Sequence, residues 1–127
     1  MSKGTRILWF SLGIVTCIGV LPAVSSIYQR MTVRAHEKAL REELFALRTV
    51  IDKYSHDKGK APQTLQDLVS KGYLRAVPTD PMNNYATDWR TVLEDATNSV
   101  NQSEPGIWDV HSSSDKTSLE GTHYAEW

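Results

Sequence analysis

One cysteine, Cys17, is the whole thiol content of the 127 residues, so no intramolecular disulfide can form and any folded part is held by packing alone. No acidic residue precedes Glu37, while Lys3 and Arg6 stand at the start. A basic stripe with interleaved aromatics is also missing from the polar part of the chain, which excludes nucleic acid as a partner, because nothing there would displace phosphate counterions. No serine, histidine and acid, and no cysteine and histidine, fall in an evident nucleophile arrangement. The pattern of an EF-hand loop is absent as well.

What is present is uneven. The run "ILWFSLGIVTCIGVLPAVSS", Ile7 to Ser26, carries no charge. About twenty residues at 1.5 Å rise give roughly 30 Å, the thickness of a bilayer core. A secretory signal peptide fits the same run, with Lys3 and Arg6 as its charged start and "AVS" before Ser26 as a small-x-small cleavage site. Cleavage there would release "SIYQRMTVRAHEKALREEL", which has no residue to start a new helix, so continuous helix through the junction is the simpler reading. Pro22 is then a kink of the kind membrane segments tolerate, and Gly13 and Gly19 are small faces open to another helix. Thr16 before Cys17 is not the small residue a lipoprotein signal places there, so Cys17 reads as a membrane residue.

From Tyr28 to Tyr54 the apolar residues Leu40, Leu44, Leu47, Ile51 and Tyr54 alternate in steps of four and three, one stripe of an amphipathic helix. The pairs Glu37 with Arg41, Lys38 with Glu42 and Arg48 with Asp52 are four apart, which predicts three surface ion pairs along that helix. "HDKGK" closes it, with Gly59 as the left-handed cap and Lys58 at the negative end of the dipole. A helix from Ile7 to Lys58 would run about 75 Å, too long for a domain of this size, so its first half belongs in lipid or against other chains. Net charge runs +2 over residues 1–27, +2 over 28–58 and −5 over 59–127, which puts the acid at the C-terminal end.

Beyond Gly59, Thr64 and Asp67 resemble a capping box, Leu65, Leu68 and Val69 give a short apolar face, and Gly72 ends a two-turn helix. "VPTDPMNN" is a rigid turn, because Pro78 and Pro81 fix two φ angles. "TDWRTVLE" and "GIWDVHS" alternate as strands on either side of the polar "DATNSVNQSEPG". The last eighteen residues are a hydroxyl- and acid-rich loop, in which Trp127 reads as a core anchor. The expected fold is α+β: a long N-terminal helix packed on a small antiparallel sheet, divided as leader 1–6, apolar helix 7–27, amphipathic helix 28–58 and head 59–127.

This order of parts resembles the major pseudopilins of the bacterial type II secretion system, within the pilin-like family. The resemblance covers nearly the whole chain. Its most specific portion is "IDKYSHDKGKAPQTLQDLVSKGYLRAVPTDPMNN", followed by the terminal "DVHSSSDKTSLEGTHYAEW". The resemblance implies a structural subunit and not an enzyme. Such subunits sit in the inner membrane with the head in the periplasm, self-associate into a helical filament, and work with other pseudopilins and the inner-membrane secretion platform. It also implies a prepilin peptidase site, for which Gly4 is the candidate. Here the chain departs from the pattern: Arg6 lies inside the start that cleavage would create, and the early glutamate that fixes axial register in such filaments is missing. A second implication is Ca²⁺ in the terminal loop, with Ser112 and Asp115 at the matching positions and Glu120 or Glu126 in place of the family's later aspartates. The runner-up is an exported or permanently anchored binding module that does not polymerise. Of the histidines, His36 and His56 read as surface or cap residues, and His111 and His123 match no zinc spacing.

Overall fold

The computed structural model describes residues 3–99 and 104–127, with side chains from Val24 onward. Helix α1 spans Lys3–Lys58, helix α2 Leu65–Ser70, strand β1 Arg90–Leu93 and strand β2 Ile107–His111, and a single 3-10 turn covers Tyr124–Glu126. The architecture is α+β: a long helix with a small two-stranded antiparallel sheet. The chain divides into two units, one ending at Arg34 and one spanning Ala35–Trp127.

In the first unit, only the backbone is described through residue 23, and the uncharged run of the sequence lies mostly there, together with Gly4, Pro22 and Cys17. Among the described residues no helix is long and apolar enough to cross a membrane. From Val24 on, side chains are described, and Val24, Ile27, Tyr28 and Met31 all stand exposed.

The second unit is the head. Leu40, Leu44, Leu47, Ile51 and Tyr54, the stripe read from the sequence, are all buried and form the floor of its core. Leu65, Leu68, Met82, Trp89, Ile107, Val110 and Tyr124 complete that core from the other elements. Gly59 ends α1 at φ +67°, the left-handed conformation that a side chain resists. The chain then turns through Ala61 and Pro62 into α2, whose capping box is reciprocal: Thr64 Oγ1 accepts from Asp67 N at 3.2 Å and Asp67 Oδ2 accepts from Thr64 N at 2.9 Å. Tyr73, after α2, meets Tyr54 edge-on with ring centroids 5.3 Å apart, and its hydroxyl donates to Asp57 at 2.9 Å.

The two strands are shorter than the sequence alternation implies. β1 is exposed at all four positions, because Trp89, just before it, takes the inward place and donates its ring N–H to the Pro78 carbonyl at 2.9 Å. β2 is the inner strand: Ile107 and Val110 are buried, and Ile107 N donates to the Pro62 carbonyl at 2.7 Å. Gly106 makes that approach possible, since a Cβ there would come within 2.6 Å of the Ala61 Cβ. Val92 pairs with Asp109 and Leu93 with Ile107, leaving Trp108 as the extra residue of a bulge.

Candidate functional site

The most heavily wired part of the head is the seam between α1 and the terminal segment. Residues 37, 41 and 48 fall within about 40° of one another around a helix of 3.6 residues per turn, so they share one strip. All three reach the terminal segment, and this corrects two of the three ion pairs expected along the helix.

Glu37 is buried rather than paired with Arg41, and its Oε1 accepts from Leu119 N and from the Tyr124 hydroxyl, both at 2.9 Å. The Tyr124 hydroxyl is held well above the usual tyrosine pKa, first by burial and then by its hydrogen bond to Glu37. Arg41 reaches Glu120 at 3.6 Å and lays its guanidinium 4.2 Å from the centre of the Trp127 ring. Arg48 donates from Nε to Asp109 Oδ1 at 2.6 Å and from Nη2 to the carbonyls of Val110 and Trp127 at 2.8 and 2.9 Å. Asp52 is therefore left to solvent. Lys38 with Glu42, at 3.7 Å and fully on the surface, is the one expected pair that forms.

His111 sits at the same seam, with Nδ1 2.5 Å from the Trp127 carbonyl and Nε2 3.5 Å from Asp109 Oδ2. Trp127 is only half-buried, so it closes the seam edge-on against Tyr124, centroids 5.1 Å apart, and is not a core residue. Arg41, Leu44, Phe45, Arg48, Glu120, Thr122 and Trp127 line a shallow groove of about 470 Å³ along this seam. Its arginines already hold carboxylates and carbonyls, so the chemistry of the seam is fastening.

The residues matched to a Ca²⁺ loop are held by different partners. Ser112 is fully buried; its hydroxyl donates to Asp80 Oδ2 at 2.5 Å and accepts from Ser114 N at 3.0 Å. The Asp115 side chain is 93% exposed and stands 3.7 Å from Arg90. Glu120 is exposed against Arg41, and Glu126 is exposed in the 3-10 turn. Among the described residues no three histidine, cysteine, aspartate or glutamate side chains are grouped to hold a metal ion. His36 faces Tyr85 across 3.2 Å, His56 is exposed, and His123 lies against Thr117.

Asp80 was not read from the sequence as a centre, yet it is fully buried and gathers three donors: Met82 N at 2.8 Å, Asn83 N at 3.2 Å and the Ser112 hydroxyl. It ties the proline turn to the terminal loop. The available signal was an aspartate opening "DPMNN", where its carboxylate can take the N–H groups two and three residues on. Glu37 also had a signal, for it lies one three-residue step before Leu40 and so extends the buried stripe.

Comparison with protein-family models, with curated proteins and with solved structures finds no match.

Proposed function

We propose that this chain is a structural subunit of a pseudopilus-type filament of bacterial type II secretion, anchored in the inner membrane through α1 with its head in the periplasm. It does no catalysis in this reading, and it meets further copies of itself, other pseudopilins and the membrane platform. The observation that carries the proposal is on α1. The later turns of that helix bury Leu40 to Tyr54 under the head, whereas Val24, Ile27, Tyr28 and Met31 are bare apolar residues spaced three, one and three apart on one side of it. Such a face is costly in water and is satisfied by lipid or by neighbouring helices, and dispersion contact is available in either place. A heterologous contact between copies that does not close on itself gives an open filament.

The missing early glutamate and Arg6 favour one second reading, an anchored module that does not polymerise. The mature N-terminus, measured by mass on protein purified from its native membrane, separates the two. A start at Thr5 supports pilin-type processing at Gly4, a start at Met1 or Ser2 supports the permanent anchor, and a start at Ser26 would sink the filament proposal.

Calcium belongs to the same proposal. Because Ser112 is spent on Asp80, ligation by the terminal loop requires Asp115 and Glu120 to leave Arg90 and Arg41, both of which are surface pairs of small worth.

A further inference from the structure

The outer side of the sheet carries a notch that no described element of the fold fills. The bulge between Val92 and Leu93 leaves Trp108 pointing away from the core, 66% exposed, and Leu93 beside it is 54% exposed. Glu94, Asp95, Asn98 and Trp108 line a depression of about 390 Å³. Among the described residues Glu94 accepts a long hydrogen bond, 3.4 Å, from Gly106 N, and Asp95 accepts from Thr97 N at 3.1 Å. Neither carboxylate has an ion-pair partner among the described residues. An aromatic face beside two such carboxylates suits a cationic side chain, above all arginine, with apolar surface next to it.

A matching surface exists on the same chain. Ile27, Arg30, Met31 and Arg34 lie at i, i+3, i+4 and i+7, hence on one strip of α1, and all four are exposed. Arg30 and Arg34 make no ion pair among the described residues. Two cations and two apolar side chains thus stand ready on α1, and two carboxylates and two apolar side chains stand ready on the head.

We propose that the Trp108 notch of one copy receives the Ile27–Arg34 strip of α1 from a second copy. The contact is heterologous, since different surfaces meet, and it repeats along an assembly without closing. It rests on the filament reading and names the head surface that would set its register, in place of the missing early glutamate. The charge complementarity governs which surfaces meet, and Trp108, Leu93, Ile27 and Met31 supply the area removed from water.

The test uses the full chain in its membrane, with Cys17→Ser throughout. Two variants are co-expressed, Ala35→Cys beside the strip and Asn98→Cys in the notch, and oxidised. A mixed disulfide dimer is expected, with either variant alone giving little. In parallel, a lysine-reactive cross-linker measures association of the otherwise unaltered chain. Glu94→Arg with Asp95→Arg, or Arg30→Glu with Arg34→Glu, should each reduce the cross-linked fraction about tenfold, and the four changes together should restore most of it. Restoration also shows that the single sets had not merely unfolded the head.

If the chain cross-links but the charge reversals leave the yield unchanged, or the combined variant fails to recover, this inference is wrong while the filament proposal stands. No cross-linked species at all would remove both. If the arginine reversals instead only release the chain from vesicles containing anionic lipid and the carboxylate reversals do nothing, the strip meets lipid headgroups and the notch assignment is overturned.

Discussion

Glu37 is the residue whose removal should say most about how the head is held. Its Oε1 is the shared acceptor for Leu119 N and the Tyr124 hydroxyl, which fixes the terminal loop to α1 at two points. In Glu37→Ala the Tyr124 hydroxyl, 1% exposed as a residue, has no replacement partner, and a buried unsatisfied donor costs about 1–3 kcal/mol. Leu119 is half open to water, so its N–H loses less, about 0.5–1 kcal/mol. Alanine returns about 0.5 kcal/mol through helix propensity and through release of a desolvated carboxylate. The net is about 1–3.5 kcal/mol, or roughly 5–25 °C in Tm for a head of this size. Glu37→Gln keeps an acceptor oxygen and loses only the charge assistance, about 1 kcal/mol. Thermal and urea unfolding of the full chain, followed by tryptophan fluorescence, measures both. In a double-mutant cycle, Glu37→Ala with Tyr124→Phe should show a coupling of about 1–2 kcal/mol. An alanine variant as stable as wild type, or a glutamine variant as damaged as the alanine one, would refute the role given to this carboxylate.

Two further outcomes follow from the structure, and a third from the calcium proposal. Gly106→Ala forces a methyl to within 2.6 Å of Ala61 Cβ and 2.7 Å of its backbone, so strand and turn must separate, and stability should fall by about 1–3 kcal/mol in a urea titration. Tyr124 has a raised folded-state pKa, so its contribution is complete below the unfolded value of about 10 and is lost as pH rises beyond it. Tm should therefore be steady to about pH 9.5 and then fall, less steeply in Tyr124→Phe; Tyr73, raised first by its hydrogen bond to Asp57, acts in the same sense, so Tyr73→Phe also lessens the fall. For calcium, Ca²⁺ added after chelation should raise the Tm of wild type and leave Asp115→Ala unmoved, and an unchanged wild-type melting curve rejects the site.

The parts of the fold governed by local rules were legible in the chain. The stripe from Leu40 to Tyr54 is buried as its spacing demands, Gly59 and Gly72 take the left-handed conformations that end helices, and Thr64 with Asp67 makes the box its spacing implies. The candidate seam was not legible, for a physical reason: a charge on a helix has a neighbour four residues on and another across the fold, and sequence shows only the first. Arg41 and Arg48 chose the terminal segment, where a tryptophan face and backbone carbonyls offer more than a solvated i, i+4 pair. The strands shrank because Trp89 and the bulge at Trp108 break the alternation, which depends on what the sheet packs against. The paired left-handed residues Asn84 and Tyr85, at φ 52° and 58°, were likewise outside reach, since a tyrosine seldom takes that conformation.

The filament proposal has copies of this chain associate through α1 in an open, repeating array. Its most direct measurement is electron microscopy and cross-linking of the full chain extracted gently from its membrane. Filaments with a regular axial repeat and a cross-linked ladder extending beyond the dimer are expected, both lost when Ile27→Glu and Met31→Glu place carboxylates on the bare face of α1. A uniform population of monomers in the unaltered chain, with no ladder at any protein concentration tried, would contradict it.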